Sequence, residues 1–312
     1  MRLVTHQEKV QHRGILRLHH LTDLHCGRPD FAEDELRERI ELIRLDSQSR
    51  WTFGGDAGEL IRHNDRRYLP SSIAPRYRQA TDLRAATREH VFELLEPIKG
   101  KCWGWCDGNH ERHYDREYGG VFGVEACCDL GIENRYLGYR GFIKVQVETG
   151  SRKANLPVLI DIQHGWQQGR LKGAPLVQAE RELGTTEADV VLRGHNHQPG
   201  GWVFQTLGVS GGGKGQIVTR QRSLVNGGSW THGFLERGAV NKAKLSEIEV
   251  DLWTETKGYR SEPVGGPVLV LRFLQGHSTT ADETHPAPNR KAAGIEHTIV
   301  SGRIDQDTIG VG

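Results

Sequence analysis

Across its 312 residues the chain is 36% hydrophobic and 26% charged, an ordinary globular mixture sized for one large domain or two small ones. Its 41 Lys and Arg nearly balance 40 Asp and Glu, a formal net charge of +1, so no global field argues for nucleic-acid or membrane binding and any attraction for phosphate must be local. The five cysteines show no CxxC spacing, which points to buried thiols in a reducing, cytoplasmic setting rather than to a disulfide framework or a thiolate zinc site.

The N-terminal "MRLVTHQEKVQHRG" lacks the apolar stretch of a secretory signal, and no window reaches membrane-spanning length. "GILRLHHL" (14–21) reads as the first strand, and Asp23 and His25 follow it. "DFAEDELRERIELIRL" (30–45) has helical periodicity, with Asp30 as its expected N-cap. "RWTFGG" (50–55) is a second strand; it runs into Asp56, with Glu59 three residues on. An arginine-dense stretch comes next. Its "RRYLP" part, with Arg66 and Arg67, is a candidate phosphate contact, because guanidinium forks grip phosphate bidentately. Its helical part, within "TDLRAATREHVFELLEPI" (81–98), is expected to be a solvated face with i, i+4 ion pairs.

"KCWGWC" (101–106) is a third strand and leads into Asn109 and His110. "GFIKVQVET" (141–149) and "LPVLIDI" (156–162) are strands, the latter followed by His164. A helix over "APLVQAERELG" precedes the strand "ADVVLRG" (188–194), which ends in His195 and His197. If that segment stays extended, residues i and i+2 share a face and the two imidazoles converge. "GWVFQTL", the β-like "QIVTRQRSLV" and "GPVLVLRFL" complete the strands. "GVSGGGKG" nearly spells a Walker phosphate loop, but Gly215 stands where Ser or Thr would meet Mg²⁺ and a β-like segment follows. From 276 to 312 the chain is polar without a period, which predicts a flexible tail with incidental histidines.

Singly, an Asp or His after a strand is more often a cap or turn residue than a ligand. Five such loops in order are what a site beyond the carboxyl edge of a sheet requires. The ordered set Asp23-Leu24-His25, Gly55-Asp56, Gly108-Asn109-His110-Glu111, His164 and Gly194-His195-Asn196-His197 resembles the motif pattern of the calcineurin-like metallophosphoesterase superfamily.

The resemblance implies a four-layer αββα sandwich of two mostly mixed sheets flanked by helices, with residues 1–275 as the catalytic domain. It implies a two-metal site: Asp23, His25, Asp56 and His197 on one ion, Asp56, Asn109, His164 and His195 on the other, with Asp56 bridging. Imidazole, carboxylate and amide ligands without thiolate suit Mn²⁺ first, with Fe or Zn²⁺ as alternatives. It further implies a metal-bridged hydroxide as nucleophile and His110 as general acid. In the protein-phosphatase branch an aspartate in the position of Glu59 pairs with this histidine, so Glu59 is expected to orient His110. That branch continues its bridging motif as Asp-Arg-Gly, whereas Glu59-Leu60-Ile61 stands here, which argues against a protein phosphatase. The leading expectation is a phosphodiesterase acting on a nucleotide or nucleic-acid diester. The alternatives are a phosphomonoesterase, a DNA nuclease of a processing assembly, and a non-catalytic protein-binding scaffold of the same fold. Retention of all seven ligands and His110 weighs against the scaffold.

Overall fold

The computed structural model describes residues 1–10, 14–62, 64–65, 68, 73–149, 154–165, 173–209, 217–233, 262–274, 294–301 and 304. The first third of the chain runs β1 (Arg2–Val10), β2 (Ile15–Leu21), α1 (Glu33–Leu45), β3 (Ser49–Phe53), α2 (Pro75–Arg78), α3 (Leu83–Leu95) and β4 (Cys102–Cys106). Next come α4 (Asn109–Tyr118), α5 (Phe122–Leu130), β5 (Tyr136–Gly138), β6 (Arg140–Thr149), β7 (Ala154–Gln163) and α6 (Ala174–Leu183). The last are β8 (Val190–Arg193), β9 (Pro199–Val209), β10 (Ile217–Gly227), β11 (Val268–Leu274) and β12 (Gly294–Val300).

Two six-stranded sheets result, ordered β1-β6-β7-β8-β10-β9 and β12-β11-β2-β3-β4-β5. Both are mixed: β2, β3, β4 and β5 run parallel, as do β7, β8 and β10, while β11 and β12 join antiparallel. Leu16, Leu18 and Trp103 from the second sheet pack against Ile143, Val145, Ile160, Ile162 and Val190 from the first, which makes the inter-sheet core. The other face of the second sheet offers Trp51, Phe53 and Trp105 to Leu36 and Ile40 of α1, Leu94 of α3 and Phe122 of α5. The outer face of the first sheet holds Val191, Leu224 and Phe142 against Leu183 of α6. The layers are therefore helix, sheet, sheet, helix, the αββα sandwich expected from the motifs.

Local chemistry explains the helices. In α1, Leu36, Ile40 and Ile43 repeat at helical spacing and are buried, while Glu33, Asp34 and Glu35 meet the positive end of its dipole. Its N-cap is Ala32, not Asp30; Asp30 is gripped instead by Arg28 through two 2.7 Å hydrogen bonds. In α3, Asp82 caps the Ala85 N–H at 3.0 Å.

Several elements depart from the sequence reading, the short α2 and β5 among them. β1 is a strand parallel to β6, and α4 and α5 are helices where no helix was expected. α4, "NHERHYDREY", buries only Glu111 and Tyr114, so it carries no apolar stripe by which to be read. Residues 294–300, assigned to the flexible tail, form β12 on the sheet edge, where His297 is buried and bonded to Ser223. Among the thiols, Cys26, Cys102, Cys106 and Cys127 are free and buried as expected, but Cys128 is exposed. No helix among the described residues is long and apolar enough to cross a membrane.

Candidate metal centre

The loops after β2, β3, β4, β7 and β8 bring Asp23, His25, Asp56, Asn109, His110, His164, His195 and His197 to one edge of the two sheets. These strands run parallel within each sheet, so their carboxyl ends open on the same side, where open sheets hold ligands. The loop after β2 is laced to the one after β3 by Asp23 N–H to Gly55 O (2.9 Å), His25 N–H to Asp56 O (3.0 Å) and Cys26 N–H to Ala57 O (2.9 Å). Gly194 N–H donates to His164 O at 2.9 Å and closes the other half.

The site residues are not extended. Asp23, His25, Asp56, His195 and His197 all have positive φ, between 51° and 71°. The left-handed turn, not strand alternation, aims both members of each pair inward, and it corrects the extended-segment argument. The residue between them turns away: Leu24 enters the core, and the Asn196 side chain accepts from Gln198 N–H at 3.0 Å. Side chains rarely adopt this backbone, and it costs about 1–3 kcal/mol at each position. Close approach also excludes side chains from the motif glycines; a Cβ on Gly108 would lie 2.0 Å from Asp56 Oδ1.

Three donor clusters form among the described residues: Asp23 with His25 and His197, Asp56 with His164 and His195, and a third of His25 with Glu59 and His110; the first two hold the motif residues. In the first, His25 Nε2 and His197 Nε2 face each other at 3.1 Å, and Asp23 Oδ1 lies 3.8 and 3.3 Å from them. In the second, His164 Nε2 is 3.2 Å from Asp56 Oδ2, 3.0 Å from Asn109 Oδ1 and 3.3 Å from His195 Nδ1. Asp56 Oδ2 also lies 3.9 Å from His25 Nε2, between the clusters. Its Oδ1 accepts the His110 N–H at 3.0 Å.

These donors fit cations. Asp23 Oδ1 is buried without a hydrogen-bond partner, and the His25 and His197 nitrogens that meet at 3.1 Å can offer lone pairs to a cation. Burial alone would raise the carboxyl pKa of Asp23, but His164, His197 and His25 outweigh it and hold Asp23 well below its usual range. Burial likewise opposes charge on His25 and His164, yet Asp23 and Glu59 push His25 up to about 10, and Asp56 with Asp23 pushes His164 up to about 9. His195 is drawn down to about 4 by burial and by the charge on His164.

Glu59 stands between two histidines, His25 and the expected His110. Its carboxylate accepts from His25 Nδ1 at 2.8 Å and stands 3.9 Å from His110 Nδ1. The closer of the two contacts is with His25. His110 Nδ1 donates instead to the Glu59 backbone carbonyl at 2.8 Å, with its ring edge-on to His25 at 4.9 Å between centroids. Arg66 and Arg67, and the glycine-rich loop around Lys214, lie outside the described residues.

Glu111 is the residue the sequence reading left without a role. Its buried carboxylate accepts from the backbone N–H groups of Asp56 (3.0 Å), Ala57 (2.5 Å) and Gly108 (2.8 Å), and so buckles the loop after β3 to the start of α4. Burial and the charge of Asp56 raise it to about 7. The signal lay in the motif itself, where Glu111 stands at the third position of a helix begun by Gly108.

No family model matches the chain, and no curated protein matches it. Several solved structures align over most of its length. One is a conserved uncharacterized protein, titled a predicted phosphoesterase, from Streptococcus pneumoniae TIGR4: 12% identity over 91% of this chain and 99% of that one, TM-score 0.31. Another is wild-type Vps29 complexed with Zn²⁺ from Entamoeba histolytica, at 10% identity over 91% and 99%, TM-score 0.35. A third is Vacuolar Protein Sorting 29 from Cryptosporidium parvum, at 13% identity over 92% and 99%, TM-score 0.33. In the order of its motifs and in the layered sandwich that carries them, the chain resembles the calcineurin-like metallophosphoesterases.

Proposed function

We propose that the chain is a metallophosphoesterase that hydrolyses phosphoesters with two divalent ions, and that its substrates are phosphodiesters of nucleotides or nucleic acids. One observation carries this reading: Asp23, His25 and His197 gather in one cluster and Asp56, His164 and His195 in another, with Asp56 Oδ2 only 3.9 Å from His25 Nε2 and a buried Asp23 oxygen without a hydrogen-bond partner. Asp23, His25, Asp56 and His197 would hold one ion and Asp56, Asn109, His164 and His195 the other. When bound, such ions supply Lewis acidity toward phosphoryl oxygens and an activated water.

The chain supplies positioning and a proton. Asp23 is fixed by Thr22 Oγ1 at 2.5 Å and by the His195 N–H at 2.9 Å, both on Oδ2, which leaves Oδ1 for a ligand. A carbonyl can only accept, so the bond from His110 to Glu59 O sets the proton on Nδ1 and leaves Nε2 to carry the transferable one. With a second proton on Nε2, His110 would be the general acid for a departing alkoxide.

The test is turnover of bis(p-nitrophenyl) phosphate against p-nitrophenyl phosphate after metal stripping and reloading with Mn²⁺. Metal-dependent diester turnover is expected. Monoester-only turnover defeats the diesterase assignment, and inactivity with Mn²⁺, Zn²⁺ and Fe²⁺ defeats the hydrolase reading.

A further inference from the structure

Beside the metal centre a groove of about 730 Å³ runs along the exposed side of α4, with Asn109, Arg112, Arg116 and Tyr139 among its lining residues. The Arg112 guanidinium lies over the Tyr139 ring at 4.8 Å. That ring is in turn 6.1 Å from the His164 ring, and its hydroxyl donates to Gly165 O at 2.5 Å. Arg112 is thus held one aromatic ring away from the second donor cluster. Arg112 and Arg116 are exposed, and neither has a carboxylate within 4.0 Å among the described residues. The groove's own acids, Asp65 and Glu117, are turned to His113, at 3.7 and 3.2 Å. The other arginines packed against this part of the chain are engaged: Arg84 and Arg88 bind Asp115, Glu125 and Asp129, and Arg62 stacks on Tyr118 at 4.7 Å.

Helical spacing orders the lining groups. Asn109, Arg112 and Arg116 fall on one face of α4, at advances of about 4.5 and 10.5 Å along its axis. The Asn109 amide and two exposed guanidinium groups, without a carboxylate partner among the described residues, therefore form a line that leads away from the candidate metal centre. Arg112 is steadied by its ring contact with Tyr139. A simple monoester has nothing to place there. A polynucleotide has a phosphate on each side of the scissile one, and Arg binds phosphate in a bidentate fork.

We propose that this groove binds the flanking phosphates of a single-stranded nucleic acid, with Arg112 on the phosphate next to the scissile diester and Arg116 on the one beyond. The proposal rests on the phosphodiesterase reading of the adjoining site. The experiment measures anisotropy of a fluorescein-labelled phosphorothioate oligothymidylate with the Mn²⁺-loaded protein over a range of salt. Kinetics on bis(p-nitrophenyl) phosphate run in parallel. The Arg112→Ala/Arg116→Ala variant should bind at least tenfold more weakly, with a salt slope smaller by about 1.4 for two lost phosphate contacts. Its loss of oligonucleotide affinity should exceed any loss on the small diester. An Arg37→Ala/Arg44→Ala variant on α1 controls for general charge and should bind like wild type. An unchanged affinity and slope in the α4 variant, no binding by wild type, or equal displacement by poly-L-glutamate would each overturn the groove assignment. Failure of bis(p-nitrophenyl) phosphate turnover, with binding retained, would strike the phosphodiesterase reading and leave the groove standing.

Discussion

The Glu59 carboxylate accepts from His25 Nδ1, so its effect belongs to metal binding before proton transfer. A carboxylate behind a histidine ligand fixes its tautomer and raises its basicity. Glu59→Ala should weaken Mn²⁺ binding by about 10–100-fold in a direct titration. Unchanged metal affinity with a displaced acidic limb of the pH–rate profile would instead restore a pairing with His110. His110→Ala should lower turnover by about 10²–10⁴-fold on a diester with an alkoxide leaving group, and much less on p-nitrophenyl esters, whose leaving group departs without a proton. Equal losses on both would remove His110 as the acid. The positive φ of His197, 57°, predicts that the metal-free His197→Gly variant is more stable than His197→Ala by about 1 kcal/mol, read by urea denaturation. A reversed order would show that the turn carries no strain. The spacing of Asp23, His25, His195 and His197 was plain in the sequence; their left-handed backbone was not, because only the hydrogen bonds between loops hold it.

At the scale of elements, α4 is the hinge of the site. Its first residues carry Asn109 and His110, its third position caps backward through Glu111, and its exposed side lines the arginine groove. Glu111→Ala strands three buried backbone N–H groups at Asp56, Ala57 and Gly108, and each unsatisfied group costs about 1–3 kcal/mol. Destabilisation of at least about 3 kcal/mol is expected in chemical unfolding, together with loss of metal affinity through the displaced Asp56 loop. A loss of less than about 1 kcal/mol would show that water replaces the carboxylate. Hydrophobic periodicity exposes α1 through Leu36, Ile40 and Ile43, but it passes over α4, whose formation depends on Glu111 and Tyr114 meeting the rest of the fold.

At the scale of the whole molecule, β12 ties a segment late in the chain to the sandwich. His297 lies buried beside Ser223 of β10, and burial lowers it to about 4. The unfolded chain would protonate this histidine near 6.5 while the folded chain resists until about 4. Its contribution to stability is therefore present above pH 6.5 and is lost as pH falls toward 4. A difference of about 3 kcal/mol across that interval is expected between wild type and His297→Gln, with the variant less sensitive to acid. Parallel stability profiles from pH 7 to 4 would show that β12 separates before His297 titrates.

Residue types and their order along the chain determined which side chains could form the centre, because imidazole, carboxylate and amide donors after successive apolar runs have few other uses in common. They also determined the buried strands, whose continuous apolar runs such as "VVL" and "VLI" demand cover on both faces. The partners of those groups depended on three-dimensional packing. Glu59 reaches His25 by the path of a neighbouring loop, Glu111 binds three N–H groups brought together from two loops, and Arg112 lies on a tyrosine 27 residues away. Reach, burial and the direction of a turn arise only when the two sheets close on one another, and they decided which of the available side chains hold, orient or adjoin the site.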